Sequence, residues 1–478
     1  MTDRRWGLGF GVWDLGFGIL AILFGIWLGV TAASPDWGRA TFVTGTAMLL
    51  LIIRLNPLLG LLTWLVVSPF GPYIGLSIEL GAGIPNLSFV RIGGIVLTLL
   101  LLGQIAVGRR RLVPLRPSDA MILLFCGTFL LSTPRSVWGT SAAAQRVFDA
   151  FILPFAGYFI ARQLVADRTA LRRVVVAVGV ISFYLAVLTI REQLTGEALF
   201  AVTPFTQYTK HLRRVIGLLA NPAYIGFTLG MTLPFLIWQA THTRERLVRA
   251  LLLAVIGLAL VGDFLAYSRA GWLAALLVLF TMAPFYRGLR RVMAMALLGI
   301  VAFALINWQR ILTSPVVTER LTAEAPILGR LQTLQIALDL WRSDWLFGIG
   351  YANFGPISIQ RGYWPDLHHF WIPTPHNSFI SIGAEAGLIT LVPYVLIFVL
   401  MFAESVRLYR ICRRRGLEPE RLLMVGFWGL LLAYVAPTGT FDNSMTGFSN
   451  QFFAVAAGSM LGMVQQTLHR TEQTTEGC

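Results

Sequence analysis

Fourteen apolar runs, at 13–33, 40–53, 57–76, 90–107, 118–133, 147–166, 171–190, 215–238, 247–264, 270–286, 292–308, 379–403, 421–437 and 447–466, leave little of this chain for water. Most approach the ~20 residues that a helix needs to cross a hydrocarbon core. Only 13% of the residues are charged, about half the share of a soluble domain, which excludes a water-covered globule. The weak ten-residue alternation of an outer-membrane barrel is absent. The chain therefore reads as an all-α polytopic membrane protein of about 12–14 transmembrane helices. Its 46 glycines and 22 prolines agree with that, because membrane helices tolerate both better than soluble ones.

Arginine clusters orient the runs. With Arg4 and Arg5 in the cytoplasm, the same face receives Arg109–Arg111 and Arg116, then Arg162 to Arg173, Arg244 to Arg249, Arg287 to Arg291, and Arg407 to Arg421. Short basic connections mark the cytoplasmic side, so the expected topology is N-in and C-in across a bacterial inner membrane. This accounts for most of the +15 net charge without nucleic acid, since such arginines face anionic headgroups. The first run lacks a clean small-residue cleavage site and is expected to be a span rather than a removed signal. The three cysteines are scattered and suggest neither a metal site nor disulfides.

One polar stretch interrupts the pattern. The expected division is a transmembrane bundle over 1–308, a large periplasmic loop over 309–375, further spans over 376–466 and a cytoplasmic tail over 467–478. Pro326 suits the first turn of a helix within the loop. Leu331, Leu334, Leu338, Trp341 and Trp345 then recur at helical spacing, leaving Arg330, Gln332, Thr333 and Asp339 on other faces. The pattern predicts an amphipathic helix lying on the membrane or over the bundle.

The candidate chemistry sits on that outer side. Lys210, Arg213 and Arg214 form a basic cluster on the wrong face for the charge rule, which fits either an anion site or snorkelling at a span boundary. Arg269 occupies a tight turn between two apolar helices, where an arginine normally faces protein or water; Asp263, a turn and a half earlier, is a possible salt-bridge partner. His376 follows Pro375 at the head of an apolar run, a position that favours neutral imidazole. Asn377 and Ser378 suit the cap. Glu385 lies two and a half turns further in, where a carboxylate braces an arginine or acts as a base. His368, His369 and His376 lack metalloenzyme spacing, so no metal and no cofactor is expected. Arginines at separate positions grip phosphate oxygens well, and a base beside them suggests activation of a hydroxyl near a diphosphate.

The segment Arg214-Val215-Ile216-Gly217-Leu218-Leu219-Ala220-Asn221-Pro222 resembles part of the O-antigen ligase and polymerase superfamily. So do Ser268-Arg269-Ala270-Gly271, Gly329-Arg330-Leu331-Gln332-Thr333-Leu334 and Phe347-Gly348-Ile349-Gly350-Tyr351-Ala352-Asn353-Phe354. His376-Asn377-Ser378-Phe379 with Glu385-Ala386-Gly387-Leu388 is similar to the family's closing signature. The order of these pieces, with the large loop among them, is more specific than any one alone. The likeness covers roughly 213–393, and Ala223-Tyr224 departs from the asparagine common there.

The resemblance implies a GT-C-like, metal-independent, inverting glycosyltransferase. Its donor is a glycan on undecaprenyl diphosphate, and its acceptor is lipid A–core in a ligase or another lipid-linked saccharide in a polymerase. By the same resemblance His376 activates the acceptor hydroxyl, and Arg214 and Arg330 hold the donor diphosphate. Arg213, Arg269, Asn377 and Glu385 support substrate binding. A different class of protein, a transporter or flippase for lipid-linked saccharides, is the rival. Such a protein would carry charged or broken helices at the midplane and related halves, and no internal repeat is visible here.

Overall fold

Short polar breaks decide where each helix begins and ends. The computed structural model describes residues 37–73, 77–78, 86–200, 207–208, 213–314, 325–363, 374–439 and 447–476. The expected first span at 13–33 lies outside them, as do Lys210, His211, His368 and His369.

The chain enters with α1 (Trp37–Leu55) and α2 (Pro57–Val67), divided at Asn56, whose side chain caps α2 through Leu59 N–H. A two-residue ribbon, β1 (Ser77–Ile78) with β2 (Leu87–Ser88), precedes α3 (Phe89–Ala106). Next come α4 (Pro117–Ser132), α5 (Thr140–Val147), a π-turn at Phe148–Ile152, α6 (Leu153–Leu164) and α7 (Arg168–Thr195). A second antiparallel ribbon, β3 (Gln207–Tyr208) with β4 (Arg213–Arg214), leads to α8 (Pro222–His242). Then follow α9 (Arg246–Leu265), α10 (Arg269–Met282), α11 (Arg287–Ile306) and α12 (Trp308–Leu312). The loop region holds α13 (Ala325–Ser343) and α14 (Phe354–Gln360). The chain closes with α15 (Ser378–Ala386), α16 (Leu388–Arg414), α17 (Glu418–Thr438) and α18 (Gly447–Glu476).

Among the described residues, eight helices are long and apolar enough to cross a membrane. Three shorter apolar helices accompany them, at Ala40–Leu55, Pro57–Phe70 and Arg269–Met282. Large apolar side chains such as Leu131, Val176, Leu298 and Ile306 stay exposed on the flanks, as a lipid-facing surface requires and a water-facing one does not. The result is a multi-span helical membrane protein, with strands confined to the two small ribbons among the described residues.

Small residues set the closest helix pairs. Gly226 and Gly230, four apart on α8, let α10 approach so that a Cβ on Gly226 would lie 2.8 Å from the Gly271 Cα. Gly458 and Gly462 repeat the device on α18, where added Cβ atoms would meet the Tyr158 and Arg162 carbonyl oxygens at 2.3 and 2.5 Å. Without a hydrophobic drive between helices in lipid, such small-residue spacing allows the close backbone packing that joins them.

Two expected spans differ in detail. The run at 215–238 becomes helical only at Pro222, because Gly217 and Ala220 take positive φ and Asn221 caps the helix. The run at 379–403 is two helices, α15 and α16, broken at Gly387 with φ 76° and ψ 176°. A Cβ at Gly387 would fall 2.1 Å from the Leu346 carbonyl oxygen, so the loop's return strand needs a glycine there.

Candidate functional site

Four non-glycine residues with positive φ are described, Ala220, Tyr267, Ala352 and His376. Each lies in or beside one of the segments singled out above. Strained backbone of this kind costs of order 1–3 kcal/mol and concentrates at functional sites. Here it marks the turns beside Arg214 and Arg269, a turn within the loop at Ala352, and the loop's end at His376.

Arg214 closes the β3–β4 ribbon, opposite Gln207. Just beyond it, the buried carboxylate of Glu192 accepts hydrogen bonds from Ile216 N–H and Gly217 N–H, both at 2.9 Å. The Tyr73 hydroxyl donates to the Leu218 carbonyl at 3.1 Å. The segment after Arg214 is thereby pinned to the end of α7 and to the turn after α2, and Arg214 itself is half-buried. Arg213 is the neighbouring residue of β4.

Arg269 is the first residue of α10, where the Ser268 hydroxyl accepts from Gly271 N–H at 3.4 Å. Trp272 Nε1 donates back to the Asp263 carbonyl at 3.2 Å and fastens the turn. The Asp263–Arg269 salt bridge that the spacing allowed does not form. Asp263 is buried against the α8–α10 crossing, its Oδ1 touching the positions where Gly226 and Gly271 lack side chains.

Arg330 shows the largest departure from expectation. The buried stripe of α13 is Thr333, Ile336, Ala337 and Leu340; of the face read from the periodicity, Leu334, Leu338 and Trp341 are half-buried, and Trp341 packs against the same core. Leu331 and Trp345 are exposed. Arg330 stands one turn before Thr333 and seven residues before Ala337, on the inward side, and is half-buried. Burial, and next the positive charge of Arg269, pull its guanidinium below the ordinary arginine range. Arg269, sixty-one residues earlier in sequence, is thus close enough for its charge to act on Arg330.

His376 lies one residue ahead of the cap of α15 rather than within the helix, with φ 50°. Its Nδ1 is 3.4 Å from the Thr374 hydroxyl. Asn377 is the cap: its Oδ1 accepts from Ile380 N–H at 3.1 Å and its Nδ2 donates to the Gly439 carbonyl at 2.9 Å. It ties α15 to the end of α17. Glu385 accepts from Phe354 N–H at 3.0 Å and so caps α14.

Within the loop, α13, α14 and the turn between them pack as one unit with α15. Ile336, Ala337 and Leu340 of α13 share a core with Phe354 and Ala384. Ile349 N–H and Gly350 N–H donate to the carbonyls of Ala384 and Glu385 at 2.9 and 2.8 Å. On the other flank, Arg135 bonds to the Asp344 carboxylate at 2.6 Å and the Gly348 carbonyl at 2.8 Å. Asn353 Oδ1 accepts from Val137 N–H at 2.8 Å, and its Nδ2 donates to the Arg135 carbonyl at 2.7 Å. Glu192, Arg135 and Asn353 are the positioning residues that sequence reasoning passed over. The one readable signal was Glu192, a carboxylate in the last turn of an apolar run just before a basic loop.

Among the described residues, no group of three or more His, Cys, Asp or Glu side chains stands together to hold a metal. No curated protein matches the chain. The segment that begins within α9 and ends within α16 contains Arg269, Arg330, His376, Asn377 and Glu385, while Arg213 and Arg214 precede it. Over that segment, residues 254–395, the chain matches the model of the O-antigen ligase family, Wzy_C, in agreement with the superfamily its motifs resemble.

Proposed function

We propose that this protein transfers a glycan from undecaprenyl diphosphate to an acceptor sugar hydroxyl at the periplasmic face of the inner membrane. The observation that carries the reading is the family match over 254–395, the segment that contains Arg269, Arg330 and His376, with both arginines half-buried. Guanidinium groups on separate segments grip phosphate oxygens well. A diphosphate offers several such oxygens, and the matched family model is that of O-antigen ligase.

In the reaction, His376 takes the proton of the acceptor hydroxyl as its oxygen attacks the anomeric carbon. The bond from that carbon to the diphosphate oxygen breaks, and the electron pair leaves with undecaprenyl diphosphate. Arg330 and Arg214, with Arg269 and Arg213 beside them, stabilise the charge that develops on the leaving group. Attack from the face opposite the leaving group inverts the anomeric centre. Asn377 and Glu385 hold α15 and α14, and with them the approach to His376. Acceptors of both kinds, lipid A–core and a second lipid-linked saccharide, satisfy this chemistry.

The test is transfer by protein reconstituted in liposomes with an undecaprenyl-diphosphate-linked oligosaccharide and each acceptor. His376→Ala should lower turnover by about 10²–10⁴-fold, the range for a general base. Arg330→Gln should lower it by about 10²–10³-fold, the range for one charge-stabilising donor. Undiminished product from a folded His376→Ala protein would remove the base assignment. Dependence on Glu385 with His376 dispensable, and saccharide crossing the bilayer without a new linkage, would instead indicate a flippase. Product mass separates single transfer from chain growth.

A further inference from the structure

At the opposite end of the bundle from His376, α4, α16 and α18 enclose a cavity of about 890 Å³ with the connection that follows α3. Its rim carries Arg109, Arg110, Arg111, Arg116, Arg407 and Arg470, against only Glu404 and Glu472. Both carboxylates are already engaged: Glu404 with Arg116 at 3.4 Å, and Glu472 with Arg415 at 2.8 Å. Among the described residues, Arg109, Arg111 and Arg407 have no ion-pair partner. The cavity thus holds a strong excess of positive charge.

A basic connection on this side of a membrane protein needs no special reason, but this one is built rather than merely present. Gln163, buried on α6, accepts from Val113 N–H at 3.0 Å and donates to the Arg111 carbonyl. Arg110 donates to the Gln163 carbonyl at 3.0 Å, and Arg162 to the Pro114 carbonyl at 2.7 Å. Arg162 is itself buried, paired with Asp119 and bonded to Gln465 at 2.8 Å. A buried polar network therefore fixes the path of the three consecutive arginines over the cavity. Burial lowers the Arg110 guanidinium from its ordinary range, a cost that an anion in the cavity would offset.

The walls choose among anions. Besides the arginines, the lining mixes apolar side chains, among them Leu112, Leu400, Ala403, Leu408, Ile411 and Leu468, with the amides of Gln163, Gln465, Gln466 and Gln473. Val107, Leu112 and Leu115 stand exposed beside the arginine run, so the connection lies where headgroups meet hydrocarbon. A basic pocket between membrane helices at that depth suits a phosphate attached to acyl chains.

We propose that this cavity is a binding site for the phosphate headgroup of an anionic phospholipid, in the leaflet opposite the transfer site. The site is separate from the proposed chemistry and stands whether or not that chemistry is correct. Arg109, Arg111 and Arg407 grip the phosphate, and the apolar wall takes the first segment of the acyl chains.

The experiment uses full-length protein in mixed phosphatidylglycerol and phosphatidylcholine nanodiscs. After transfer to detergent, retained lipid is counted by native mass spectrometry. The wild type should keep phosphatidylglycerol over phosphatidylcholine by at least about tenfold. The triple variant Arg109→Gln, Arg111→Gln, Arg407→Gln should lose that preference. A second triple, Arg287→Gln, Arg290→Gln, Arg291→Gln, removes the same charge from the exposed start of α11 away from the cavity and should keep it. Equal loss in both triples would mean a general basic face and overturn the site. Loss of phosphatidylglycerol preference in the wild type, with inorganic pyrophosphate bound instead, would overturn the lipid as its occupant. Thermal midpoints of both triples, matched to wild type, exclude misfolding as the cause.

Discussion

Glu192 holds more of the site than any arginine's own contacts reveal. Its carboxylate is buried and satisfies two backbone N–H groups just past Arg214. Removing it leaves both donors unpaired in a dry setting, at about 1–3 kcal/mol each. Glu192→Ala should therefore lower stability by at least ~2 kcal/mol, read as a drop in thermal midpoint in detergent, and reduce transfer further than the fold alone explains. Glu192→Gln keeps one acceptor and should fall between. A Glu192→Ala protein with wild-type midpoint and activity would show that the Arg214 segment is held by other means. At this scale the sequence was legible for residue identity and poor for orientation. Asp263 and Arg269 looked like partners by spacing, yet the glycines at 226 and 271 draw the carboxylate into the α8–α10 crossing instead. Spacing along a chain says which groups are near in sequence; packing between helices decides which way they turn.

The helices themselves were easier to read where lipid was the solvent. Apolar length alone placed α3, α7, α9, α11 and α17 within a few residues, because backbone in hydrocarbon has little alternative to a helix. It failed on α13. There the apolar periodicity picked out Leu331 and Trp345, which remain exposed, while the stripe bearing Arg330 packs inward. A helix at a membrane surface has two apolar partners, the bilayer and the protein, and periodicity cannot say which face meets which. The break between α15 and α16 was also missed, since Gly387 lies inside a run read as one span. Gly387→Ala adds a Cβ against the Leu346 carbonyl at a backbone conformation open essentially to glycine alone. The expected loss is at least ~2 kcal/mol, with the loop freed from α15 and digested faster by added protease. Unchanged midpoint and digestion would mean that the two helices tolerate a different break.

For the whole molecule, arginine counting predicts which end faces which compartment, and the bundle supplies sites for testing it. Leu199 lies at the Arg214 end and Arg111 at the opposite one, both exposed. In a variant without native cysteines, Leu199→Cys should react with a membrane-impermeant maleimide in cells with a permeabilised outer membrane. Arg111→Cys should react only after the inner membrane is opened. The reverse pattern would invert the topology and move the proposed chemistry to the cytoplasm. The two ends also differ in how they use arginine. One carries single arginines on separate segments; the other lays three in a row along a connection fixed by Gln163.

The shared core of α13 and α15 has a consequence for timing. Arg330 rides on one of these helices and His376 on the lip of the other, and the backbone bonds from Ile349 and Gly350 to α15 lock the two into one clamp. The clamp joins the bundle through Asn377 on one side and Arg135 with Asn353 on the other. A swing that carries Arg330 away from Arg269 carries His376 with it. In the proposed reaction, charge stabilisation and proton removal would then be gained or lost together, as a latch rather than a dial, and a carrier seated without the clamp shut would meet neither.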